Sequence, residues 1–106
     1  MTSKKFRNLA LGLRGAVEAE HMGHPDFRVD GKIFATLNYP SDEWGLVKLK
    51  PAQQREFCKK APEMFRPCNG VWGERGATNV HLPSAKIGVL RAALRVAWRN
   101  AVAEAK

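Results

Sequence analysis

Phe27-Arg28-Val29-Asp30-Gly31-Lys32-Ile33-Phe34-Ala35 is the stretch on which the fold turns. Two short runs of β-branched and aromatic residues flank Asp-Gly, a dipeptide suited to the positive φ angles of a two-residue type I′ hairpin. With that loop, Val29 faces Lys32 and Phe27 faces Phe34. Phe27, Val29 and Phe34 then share one face, and Arg28 shares the other with Ile33. A three-residue loop would flip one strand, so the register is a preference set by the turn. A hairpin with one apolar face needs a covering layer, and the flanking segments supply candidates for it.

Upstream, Phe6, Leu9, Leu13, Ala16 and Val17 fall on one helical face, which predicts a helix from about Lys4 to Glu20. Gly12 and Gly15 weaken it by up to about 1 kcal/mol each, and Gly23 and Pro25 end it. Downstream, Asn38 to Glu43 is turn-rich, and Trp44 to Lys50 alternates as a strand. A helix begins at Pro51, a residue suited to a first turn, and stops before Pro62. Phe57, Ala61 and Cys58 form its buried side. Met64 to Pro67 is extended. Val71-Trp72 and Thr78 to Leu82 read as a strand pair joined by Gly73-Glu74-Arg75-Gly76. Ser84 is the expected N-cap of a last helix, whose apolar stripe is Ile87, Leu90, Leu94, Ala97, Trp98 and Ala101. The order is helix, antiparallel strands, helix, strands, helix. The fold class is therefore α+β, an antiparallel β-sheet with helices packed on one face.

The 106 residues suit one domain, 1–106, and no linker or repeat divides them. Leu9 to Leu13 is cut short by Arg14, far below the roughly 7–15 apolar residues of a signal-peptide core and the about 20 of a membrane span. Cys58 and Cys68 form no CxxC pattern and are too few for a disulfide framework. The chain reads as cytoplasmic, with reduced thiols. Eighteen Lys and Arg against ten Asp and Glu leave a net charge of +8. That excess favours anionic partners, nucleic acid among them, although it also serves simple solubility.

Three stretches resemble the MmcQ/YjbR-like family: His21 to Leu37, Gly45 to Lys50, and Trp72 to Leu82 with the helix carrying Ala97-Trp98-Arg99. The first is the most specific, because a Phe-Arg-Val…Gly-Lys-Ile-Phe-Ala hairpin is the family's hallmark. The resemblance implies a compact α+β domain similar to the bacterial frataxin fold and a DNA-binding role with a double-wing arrangement. Ala97-Trp98 departs from the Ser-Tyr of many members, removing two hydroxyls while keeping the packing volume.

Phosphate binding needs several cations on one surface. Strand alternation places Lys48 and Lys50 together, opposite Val47 and Leu49. Arg28 and Lys32 lie near the first hairpin tip, and Arg75 lies in the second wing. These five are the expected nucleic-acid-binding residues, and five phosphate contacts imply a slope of about −4.5 in log K against log salt. Lys and Arg also occupy ordinary exposed strand positions, and Arg91, Arg95 and Arg99 on the last helix read as stems covering the core edge. Glu18 is a candidate carboxylate neighbour for them.

His21 and His24 sit in a loop that lacks the four spaced ligands of a zinc site, so hydrogen bonding at the strand entry is the expected role. No nucleophile elbow, P-loop or His-Glu-x-x-His is present. Lys59 and Lys60 are candidates to lower the pKa of a nearby thiol, but no His is marked as its partner. Trp44, Trp72 and Trp98 fit packing better than base stacking. No catalytic residue, metal or cofactor is assigned, and a monomer is the expected state. The reading is a non-enzymatic nucleic-acid-binding module. Its rival is a protein-interaction or small-ligand module, with a pocket between sheet and last helix or near His21 and Trp72.

Overall fold

A computed structural model describes residues 1–106. Helix α1 (Ser3–Leu11) leads into strands β1 (Val17–His21), β2 (His24–Val29), β3 (Lys32–Leu37) and β4 (Trp44–Lys48). Helix α2 (Pro51–Lys60), strand β5 (Phe65–Pro67), the one-turn helix α3 (Gly70–Glu74) and strand β6 (Ala77–His81) follow. A 3₁₀ turn (Leu82–Ser84) then precedes α4 (Ile87–Glu104). The six strands form one antiparallel sheet in the order β1-β2-β3-β4-β6-β5. The α+β class and the sheet with helices on one face are as the sequence predicts.

The hairpin turns where expected. Asp30 and Gly31 both take positive φ, 52° and 79°, and Val29 pairs with Lys32. One step in the predicted register is wrong: Arg28 pairs with Ile33, but Phe27 pairs with Ala35 rather than Phe34. Phe34 is an extra residue in β3, a bulge that turns two consecutive side chains inward. Phe34 and Ala35 are accordingly both buried, beside Phe27 and Val29.

The covering layer is α4, helped by α1. Leu90, Ala93, Leu94, Ala97 and Ala101 form the buried stripe of α4, and Phe6 and Ala10 that of α1. The three alanines leave room for the helix to lie close to the sheet. Ile87 is 42% exposed and Trp98 half-buried, so the stripe is narrower than predicted. Trp98 donates its Nε1–H to the Arg14 carbonyl at 2.8 Å, which ties the loop after α1 to α4. Ser84 is not the N-cap; Lys86 takes that position, and the Ser84 hydroxyl bonds His81 instead.

Two elements differ from the sequence reading. The first helix stops at Leu11, and Val17–His21 is an edge strand. Glu18 pairs opposite Phe27, on the helix side, where its carboxylate accepts from Arg7 Nε at 2.8 Å. Charge on an edge strand discourages pairing with another chain. Glu18 therefore serves Arg7 rather than the exposed Arg91, Arg95 and Arg99. Val71-Trp72 is not a strand either: it lies in α3, and the neighbours of β6 are β4 and β5. The second wing of the expected pair is thus absent as a Val71-to-Leu82 hairpin.

Candidate functional site

With the helices on one side, strand alternation leaves Arg28, Thr36, Leu46, Lys48, Asn79 and Arg66 on the other, open face of the sheet. At the β1–β2 side the charges are satisfied internally. Asp26 is fully buried. Its two oxygens accept from Arg28, Nε at 2.8 Å and Nη2 at 3.0 Å, and from His21 Nδ1 at 2.7 Å. The Arg28 hydrogen bonds hold the Asp26 carboxyl below the usual carboxylate range against the opposing effect of burial, with help from His21. Arg28 is in turn stabilised as a cation by Asp26. His21 and His24 are not loop residues: they face each other across the Met22-Gly23 turn.

The β4 side is different. Lys48, Lys50 and Arg75 line one depression of about 220 Å³ with Trp72, Asn100 and Glu104. None of the three cations forms an ion pair; among the eighteen Lys and Arg, only Arg7 and Arg28 do. The Lys48 ammonium lies over the Trp72 ring, 5.6 Å from its centroid, within cation–π range. Lys50 precedes α2 and anchors it, its backbone N–H donating to Gln53 Oε1 at 2.8 Å. Arg75 follows α3 as its C-cap.

The position of α3 depends on two residues. Gln54, buried on α2, donates from Nε2 to the carbonyls of Gly73 (3.1 Å) and Ala77 (3.0 Å). Gly76 has φ +110°, and a Cβ there would collide with the Leu49 carbonyl. This brace holds Trp72 out from the sheet, 63% exposed.

The five predicted residues therefore do not form one set. Lys48, Lys50 and Arg75 converge. Arg28 is committed to Asp26. Lys32 pairs opposite the inward-facing Val29, so it belongs to the helix side of the sheet, not the face of Lys48. Sequence reasoning missed Arg66, an exposed residue whose guanidinium lies 5.4 Å from the Trp44 ring centroid. Its alternation within the extended Met64–Pro67 segment was the available signal.

Both places suggested for a pocket contain one. The depression at the sheet end reaches α4 through Ala97, Asn100 and Ala101. A larger groove of about 620 Å³ crosses the open face. Thr36, Leu46, Ile33 and Ala77 line it between His21, Met22, His24 and Tyr39 and the Trp72–Lys48 pair. Elsewhere, His81 Nδ1 lies 2.8 Å from Ser84 Oγ, with Glu43 at 3.9 Å from Nε2, but neither depression reaches this group. No three His, Cys, Asp or Glu side chains cluster as metal ligands. Burial raises the Cys58 pKa and pushes Cys68 up to about 11, and the Cys68 thiol donates to Asn79 Oδ1 at 3.1 Å. Burial is the cause of both shifts, and Lys59 and Lys60 do not lower the pKa of Cys58. No helix is long and apolar enough to cross a membrane.

The YjbR family model matches residues 11–100. The chain belongs to the YjbR family. The structure of Deinococcus radiodurans protein DR2400, assigned to the domain family DUF419, is similar to this YjbR domain. The TM-score is 0.75 at 17% sequence identity, and the match covers 92% of this chain and 75% of that one. At that identity the likeness establishes the fold. No curated protein matches this YjbR sequence.

Proposed function

We propose that this YjbR-family protein is a non-enzymatic nucleic-acid-binding module, binding DNA in the first instance, that holds the phosphate backbone at Lys48, Lys50 and Arg75. The observation that carries the reading is the convergence of these three unpaired cations on one depression beside an exposed Trp72. Unpaired cations on a shared surface release counterions on meeting phosphates, which drives sequence-independent binding. Arg28 and Lys32 are outside the proposed contact set, so three contacts replace five. The expected salt slope on duplex DNA becomes about −2.7.

The test is a titration of labelled duplex at 50 and 200 mM salt, with the triple variant Lys48→Glu, Lys50→Glu, Arg75→Glu as control. Affinity is expected to fall about forty-fold between the two salts and to vanish in the variant. No binding at 50 mM, or binding indifferent to salt, would sink the reading.

A small-ligand module is the second reading, favoured by the 620 Å³ groove. This volume lies within the roughly 300–1,000 Å³ of ligand pockets. On that reading, reversing Lys50 and Arg75, which lie outside the groove, leaves ligand binding intact.

A further inference from the structure

We infer that the open-face groove is a nucleobase site, so that the ligand is single-stranded nucleic acid with an unpaired base seated beside Trp72. This rests on the nucleic-acid reading and specifies what that reading leaves open. Three observations point to it. Trp72 and Tyr39, 63% and 58% exposed, stand in the wall of a groove floored by Thr36 and Leu46. Large aromatic rings left in water on the rim of an apolar groove suit a flat, unsaturated ligand, because stacking needs only a π-face. Lys48 lines both this groove and the basic depression that holds Lys50 and Arg75. A base in the groove and its own backbone phosphates at the cations are therefore served by one continuous surface.

Aromatic and cationic groups alternate along the same face. Lys48 stands over Trp72, and Arg66 over Trp44, whose ring is also 4.8 Å from that of His81. Single-strand binders combine aromatic stacking surfaces with a cationic track for the backbone. A duplex fits the arrangement poorly: its bases are stacked inside the helix, so the groove would remain empty and only the cations would engage. The buried Asp26 adds no repulsion of a free carboxylate, because Arg28 and His21 surround it.

The experiment compares three probes of equal length at 50 mM salt: a thymidine oligomer, the same oligomer made wholly of abasic sites, and a duplex. Tryptophan fluorescence and labelled-probe anisotropy read binding. The thymidine oligomer is expected to bind roughly tenfold more tightly than the abasic strand, the size of one base–aromatic stack. Trp72→Ala is expected to remove that preference, so that thymidine and abasic strands bind alike, and Trp72→Phe to restore most of it. Trp72 is exposed, so thermal unfolding of both variants is expected to match the parent. Equal affinity for thymidine and abasic strands, or a preference that survives Trp72→Ala, overturns the base site while leaving phosphate binding standing. Failure to bind any of the three overturns both.

Discussion

On the β1–β2 side of the open face, Arg28 places two hydrogen bonds on a buried carboxylate. Two strands away, Lys48, Lys50 and Arg75 surround a depression with no ion-pair partner among them. The side chains are similar in kind. The difference lies in where the sheet places the carboxylates. Asp26 sits two residues from Arg28 on the same strand face, so strand period alone makes them neighbours. No acidic residue occupies the equivalent position beside Lys48 on β4. A cation with a built-in partner has a structural role, whereas a cation without one is available to an anion from outside.

The largest expected effect comes from breaking the support of the unpaired side. Gly76→Ala forces a side chain into a φ of +110° and against the Leu49 carbonyl. Strain and overpacking together are expected to cost about 3 kcal/mol, read by denaturant unfolding. Because Gly76 fixes α3, nucleic-acid affinity in the surviving folded fraction is expected to fall as well. A variant as stable as the parent would show that α3 is not braced there.

Next in size is the paired side. Asp26→Asn is expected to destabilise by about 1–2 kcal/mol at neutral pH, toward the lower end for hydrogen bonds to a charged group because Arg28 and His21 are partly solvated. The pH dependence carries the sharper signature. The folded-state pKa of Asp26 lies below its unfolded value. Its contribution is therefore fully present above about pH 4 and is lost as the pH falls through the depressed value. The parent should lose stability in that acid range more steeply than Asp26→Asn. Coincident acid-unfolding curves would mean that the buried carboxylate contributes nothing.

These two sides also show what the sequence revealed. The Asp-Gly hairpin was legible because a two-residue turn and an alternating pattern both act over a few residues. The bulge at Phe34 was not, because it answers to packing beneath α4 rather than to the turn. Val17 to His21 was misread as helix because Ala16 and Val17 are in phase with Phe6 and Leu13, and only the pairing of Glu18 opposite Phe27 marks the strand. Val71-Trp72 was misread as strand because the brace on α3 comes from Gln54, distant in sequence and polar, where the pattern rewards apolar residues. Lys48 and Lys50 were predictable as neighbours from alternation, and both line the depression. The diversion of Arg28 was missed although Asp26 was in view, because burial of that carboxylate is a tertiary fact.

A smaller effect separates the two sides directly. Lys48→Gln is expected to lower duplex affinity about fivefold at 50 mM salt and to reduce the salt slope by about 0.9, the share of one phosphate contact. Arg28→Gln is expected to leave the slope unchanged while lowering stability. If both variants reduce the slope equally, Arg28 exchanges Asp26 for phosphate and the contrast between the sides fails.

The smallest expected effect is the most informative about the hairpin tip. Lys32 is exposed and sits beside the Asp30-Gly31 turn, where a wing would offer it to the backbone of DNA. Its pairing with Val29 directs it toward the helix side. A ligand lying across the open face meets Lys48 without meeting Lys32. Lys32→Ala is therefore expected to change duplex affinity by less than about twofold, with no change in salt slope, since a contact to phosphate would remove about 0.9 from it. A loss matching that of Lys48→Gln would mean that nucleic acid wraps the hairpin end and touches both faces. The anion-binding surface would then be defined by the sheet's edge rather than by the depression beside Trp72.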